Sequence, residues 1–118
     1  MEQRLTIITL GVSELTESER FYSKILGWKK TKQSNENIVF YNLSGFQLAL
    51  YQIDKLANDA NMKCSNLDFR GFTLAYNTKT ENEVDLLFKS LSEKGVEIIK
   101  EPEKAFWGGY SGYFADPR

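Results

Sequence analysis

Two segments of this chain share one grammar: a threonine, a glutamate three residues later, an apolar series at helical spacing, then a glycine. They are "TESERFYSKILG" (residues 16–27) and "TENEVDLLFKSLSEKG" (residues 80–95). In such a capping box the threonine oxygen accepts an orphan N–H of the first turn while the glutamate reaches back to the cap. Phe21, Tyr22, Ile25 and Leu26 form the inward stripe of the first helix, and Val84, Leu87, Phe88 and Leu91 that of the second. Gly27 and Gly95 supply the left-handed residue at which helices stop.

Segments of strand character surround both helices. "RLTIITLGV" precedes the first; "WKKTKQ", "NIVFYNL" and "FQLALYQ" follow it, separated by turn-forming "SNEN" and "SG". Residues 53–67 are polar and irregular, with at most one helical turn around Asp54–Asn58, and read as a linker. The order then repeats: "DFRGFTLAYN", the second helix, "VEIIKE" and "GYSGYFA". The expected architecture is α+β, one domain over residues 1–118. It contains a first module at 4–52 and a second at 68–118 that lacks its final strand. A duplicated unit of this kind places a site between its halves.

Composition narrows the chemistry. The chain has 118 residues, 42% hydrophobic and 26% charged, ordinary for one soluble domain. A net charge of −1 gives no electrostatic footprint for nucleic acid. Cys64 is the single cysteine, so no intrachain disulfide forms; beside Lys63 it reads as a bystander thiol. The apolar run at the N-terminus is too short to span a membrane and no cleavage site follows it, so a cytoplasmic location is expected. Histidine is absent. Ser-His-Asp and Cys-His catalysis and His-ligated zinc or iron are thereby excluded.

Two readings stand for the aromatic and glycine-rich end, "AFWGGYSGYFADPR". Either its glycines mark a bulge or close approach and its aromatics fill core, or they form a cavity wall offering flat faces to an organic ligand. Strand alternation puts Tyr110, Gly112 and Phe114 on one face and Ser111 and Tyr113 on the other. Tyr41, Gln47, Tyr51 and Tyr76 carry polar tips that either reach solvent or backbone partners or converge on a pocket. The carboxylates at helix starts are accounted for by the macrodipole, and no phosphate-binding loop is present.

"ITLGVSELTESERFYSKILGW" and "FWGGYSGYFADP", with "FQLALYQ" and "GFTLAYN" between them, resemble the vicinal oxygen chelate superfamily of glyoxalase I, bleomycin-resistance proteins and extradiol dioxygenases. The resemblance spans essentially the whole chain. It implies paired βαβββ modules, cup-shaped cavities and dimers. In metal-dependent members the ligand positions match Ile7, a residue at or next to Ala49, and Phe72. A final glutamate would follow on a strand after an Asp-Pro turn, whereas this chain reads Asp116-Pro117-Arg118 and ends. Hydrocarbon side chains cannot coordinate a divalent cation. The expectation is therefore a homodimeric protein with no metal, no cofactor and no catalytic residue, binding a small organic molecule. Phe40, Gln47, Tyr51, Phe72, Tyr76, Trp107 and Tyr110 are its expected ligand contacts. A metal-dependent glyoxalase, lyase or dioxygenase-type enzyme and a truncated non-catalytic paralogue are the alternatives. The unpaired strand edge left in the second module is expected at or near the dimer interface.

Overall fold

The computed structural model describes residues 2–59, 61, 73–105 and 108–117. The fold is mixed α+β with a three-stranded and a two-stranded sheet. The chain divides into two compact units: Met1–Asn66 with Pro117–Arg118, and Leu67–Asp116.

In the first unit, β1 (Ile7–Val12) is followed by α1 (Leu15–Arg20), a π-helical turn (Phe21–Ile25), β2 (Ile38–Asn42), β3 (Gln47–Gln52) and α2 (Ile53–Asp59). The sheet order is β1-β3-β2, with β1 parallel and β2 antiparallel to β3. Leu10, Val12, Val39, Tyr41, Leu48 and Leu50 are buried, as are Ser18, Phe21 and Tyr22 of the helical segment. Tyr22 and Tyr41 meet with ring centroids 5.8 Å apart, which ties the π turn to this side of the sheet. In that turn Leu26 N–H donates to Phe21 O, five residues back, at 3.0 Å. Gly27 then takes φ +74, and Trp28 N–H closes onto Tyr22 O at 2.9 Å.

The first capping box does not form. The helix starts two residues early, at Leu15, with Glu14 rather than Thr16 as N-cap and no side-chain cap bond. Thr16 therefore lies inside the first turn, where its hydroxyl cannot cap. A distant residue takes over: Leu15 N–H donates to Gln52 Oε1 at 2.8 Å, and Gln52 Nε2 donates to Ser13 O at 3.2 Å. Glu19 is instead paired with Lys30 at 2.6 Å.

"WKKTKQ" does not become a strand. Lys30 makes only an isolated bridge to Tyr41, and Thr31 N–H donates to Phe40 O at 2.8 Å. Phe40 N–H, which would continue the ladder, donates to Ser34 Oγ at 2.9 Å. Side-chain competition of this kind ends strand pairing. The segment expected to be a linker opens instead with α2, longer than the single turn anticipated there.

In the second unit, α3 (Glu81–Glu93) precedes β4 (Glu97–Lys104) and β5 (Tyr110–Ala115). Its capping box is complete: Glu83 N–H donates to Thr80 Oγ1 at 3.1 Å and Thr80 N–H to Glu83 Oε2 at 3.3 Å. Gly95 (φ +79) ends it, with Val96 N–H bonded to Leu91 O and Gly95 N–H to Ser92 O, both at 3.0 Å. These two bonds form the Schellman closure. Phe88 and Leu91 are buried, and Phe88 meets Phe114 of β5 edge-on at 5.9 Å.

The strand expected at residues 68–77 is not found where it is described. Residues 68–72 lie outside the described residues, and 73–77 are exposed and in no strand. A strand needs a ladder to satisfy its backbone groups. Among the described residues, β5 pairs only with β4, so no neighbouring strand offers that ladder.

Candidate functional site

Side chains alternate along β3. Leu48 and Leu50 enter the core beneath α1, leaving Gln47, Ala49 and Tyr51 on the opposite face. Register extends that face across the sheet. Ile7 and Asn42 flank Gln47, Thr9 and Phe40 flank Ala49, and Gly11 and Ile38 flank Tyr51. Three sequence-predicted site residues, Phe40, Gln47 and Tyr51, thus share one face and are each half-buried. Ile7 is 43% exposed and Ala49 is fully covered. Gln47 Nε2 donates to Asn42 Oδ1 at 2.7 Å, orienting the amide. At the other end, a Cβ on Gly11 would lie 2.9 Å from Ile53 Cγ1, so glycine is what lets α2 close down on β1.

Phe72 and Trp107 lie outside the described residues. Tyr76 is 73% exposed and borders an open groove of about 400 Å³ with Asn77, Lys79, Glu83 and Leu87. Tyr110 lies on the α3 side of β5, where its hydroxyl donates to Asp85 Oδ1 at 2.6 Å. This bond holds the phenol above its ordinary pKa, because the neutral O–H is the partner the carboxylate binds. Gly112 explains the close approach: a Cβ there would sit 2.7 Å from Phe88 Cζ and 2.8 Å from Lys100 O. Ser111 and Tyr113 take the opposite face, with Lys100 across from Tyr113. Tyr113, 47% exposed, was not among the expected contacts, although strand alternation already separated it from Tyr110.

Tyr41 follows the first of its two readings. Its side chain is buried and its hydroxyl shares a 2.9 Å hydrogen bond with Ser23 Oγ. Burial pushes the phenol pKa up, and the Ser23 bond opposes that in part. A second open groove, about 310 Å³, runs between α3 and β4 over Phe88 and is lined by Asp85, Lys89, Glu93 and Glu101.

The residues at the family's metal-ligand positions do not fit a divalent cation. Ile7 and Ala49 stand on the shared face with hydrocarbon side chains, and the nearest amide on β3, Gln47, offers only a single neutral carbonyl oxygen. Hard and borderline cations need several oxygen or nitrogen donors converging on one point. Among the described residues, no three His, Cys, Asp or Glu side chains are grouped to hold one.

A helix-backed three-stranded sheet with a half-open, uncharged opposite face, and a second unit of one helix and two strands, define a mixed α+β fold. The family model for the Glyoxalase/Bleomycin resistance protein/Dioxygenase superfamily matches residues 4–118, and the chain belongs to that family. It is similar to a glyoxalase-related enzyme from Fulvimarina pelagi, at 32% identity over 98% of this chain and 82% of that one, with a TM-score of 0.85. A hypothetical protein from S. aureus is 25% identical over 98% of this chain and 87% of that one, TM-score 0.79. Lactoylglutathione lyase from Agrobacterium tumefaciens shares the fold at 16% identity, covering 98% of this chain and 87% of that one, TM-score 0.69. No protein of curated function matched the sequence. Among the described residues, no helix is long and apolar enough to cross a membrane.

Proposed function

We propose that this protein binds a small organic molecule on the open face of its three-stranded sheet, and that it does so without a metal ion. One observation carries the reading. The face that brings Phe40, Gln47 and Tyr51 together also holds Ile7 and Ala49, side chains without donor atoms at or next to the positions that the family resemblance matches to metal ligands. An aromatic ring, an oriented amide and a phenol beside aliphatic side chains are what an amphipathic organic ligand requires.

Amide chemical-shift mapping of the full chain against a panel of small organic compounds, with and without a chelator, tests this reading. Shifts at Thr9, Phe40, Ala49 and Tyr51 that persist in chelator are expected, and Phe40→Ala should weaken them about tenfold. Binding or turnover that appears only on adding Ni²⁺, Zn²⁺, Fe²⁺ or Mn²⁺ would overturn it in favour of a metal-dependent enzyme.

The protein is further proposed to act as a homodimer. The support is an edge of β5 that is unpaired among the described residues, together with exposed Ile99 and Tyr113 in the same two-stranded sheet. Sedimentation is expected to give a dimer at micromolar concentration. A stable, folded monomer there contradicts this assembly and leaves ligand binding as a separate question.

A further inference from the structure

Every side chain that β1, β2 and β3 present opposite α1 is uncharged. Register places Ile7, Thr9, Phe40, Gln47, Ala49 and Tyr51 there, with Asn42 and Ile38 toward the ends. Two cationic groups of the flanking segments are engaged elsewhere. Arg4 is paired with Glu2 at 2.7 Å, and Lys55 of α2 donates to Asn37 Oδ1 at 3.3 Å. Sheet faces in this chain are not neutral as a rule. In the second unit Lys100 lies across from Tyr113 and pairs with Glu103 at 3.0 Å.

The absence of charge has a sign-independent consequence. A ligand ion settling on the face loses hydration and gains no counter-charge, whichever sign it carries. A neutral ligand avoids that penalty and still finds hydrogen-bonding partners. Gln47 keeps its carbonyl oxygen and one amide proton after bonding Asn42, and Thr9 and Tyr51 contribute hydroxyls. We propose that this face selects electrically neutral, ring-containing organic molecules that carry a hydrogen-bonding group, and discriminates against both their anionic and their cationic analogues. The inference rests on the proposed binding function of the same face.

Three probes of one shape separate the two claims: naphthol, naphthoate and naphthylmethylammonium, titrated at neutral pH into the full chain and followed by amide chemical shifts. Naphthol is expected to shift Thr9, Ala49 and Tyr51 and to bind at least about tenfold more tightly than either ion. Thr9→Lys, at an exposed position in the middle of the face, is expected to raise naphthoate affinity by about tenfold and to weaken the ammonium probe. If either ion binds as tightly as naphthol at these residues, neutrality does not set specificity, while the binding function stands. If none of the three shifts those amides, the proposal falls together with the binding reading. If Thr9→Lys binds naphthoate no better than the parent does, charge on this face does not set ligand choice, and the proposal falls alone.

Discussion

Ser18, completely buried in α1, donates its hydroxyl to the carbonyl oxygen of Pro117 at 2.9 Å, across 99 positions of sequence. The bond lies within the first unit, to which Pro117 belongs. A buried serine in a helix interior, otherwise an unfavourable choice, is accounted for by this acceptor.

Ser18→Ala is accordingly expected to lower stability by about 1–2 kcal/mol, the cost of leaving a carbonyl without its partner. Urea denaturation read by circular dichroism measures it. Glu17→Ala, next to it on the exposed side, should stay within about 0.5 kcal/mol of the parent.

The start of α1 offers a direct comparison between a local and a distant cap. Gln52→Leu removes the acceptor of Leu15 N–H and is expected to cost about 1 kcal/mol. Thr16→Val removes the side chain that the capping-box pattern nominates. It should change the urea midpoint little, because Thr16 makes no cap bond. The reverse ordering would restore the local cap.

Gly112 is held by contact, since its φ is unexceptional while Phe88 and Lys100 O crowd it. Gly112→Ala should destabilise the protein by about 1–3 kcal/mol. Adding Phe88→Leu should recover only part of the loss, because the backbone oxygen of Lys100 stays in place. Full recovery in thermal melts would locate the whole clash at the ring.

Alkaline pH separates two tyrosines. Tyr110 and Tyr41 each have a phenol raised above 10.0, Tyr110 chiefly by its bond to Asp85 and Tyr41 chiefly by burial. A raised phenol favours the folded state while it stays protonated. Its contribution is complete below pH 10.0 and is lost as pH climbs through the higher folded value. Phenolate absorbance should lose one late-ionising group in Tyr110→Phe and another in Tyr41→Phe. Each variant should also show a flatter fall of stability above that pH.

Legibility followed the range of the interactions involved. Helix α3 could be read to both of its ends, because Thr80, Glu83 and Gly95 act on backbone within a turn of themselves. The first helix carried the same letters, yet its start moved, since Gln52 from β3 satisfied the first N–H before Thr16 was needed. "WKKTKQ" had strand composition but lost its ladder to the Ser34 hydroxyl, a competition that no periodicity encodes. Likewise, Gln47 and Tyr51 were identifiable as strand residues with polar tips, while Thr9 and Phe40 came to flank Ala49 between them only through register with β3.

By itself, the order of residues determined the α+β pattern, the ends of the second helix, the exclusion of histidine chemistry and the hydrocarbon character of Ile7 and Ala49. These are properties of composition or of contacts only a few residues apart, where the spacing of letters is the geometry. Tertiary structure alone decided that Tyr110 turns to Asp85, that Ser18 meets Pro117, and that one face of β1, β2 and β3 carries no charge. Each of these depends on register or on chain return over many residues. Such pairings are selected by burial of the whole core, and no local pattern specifies them.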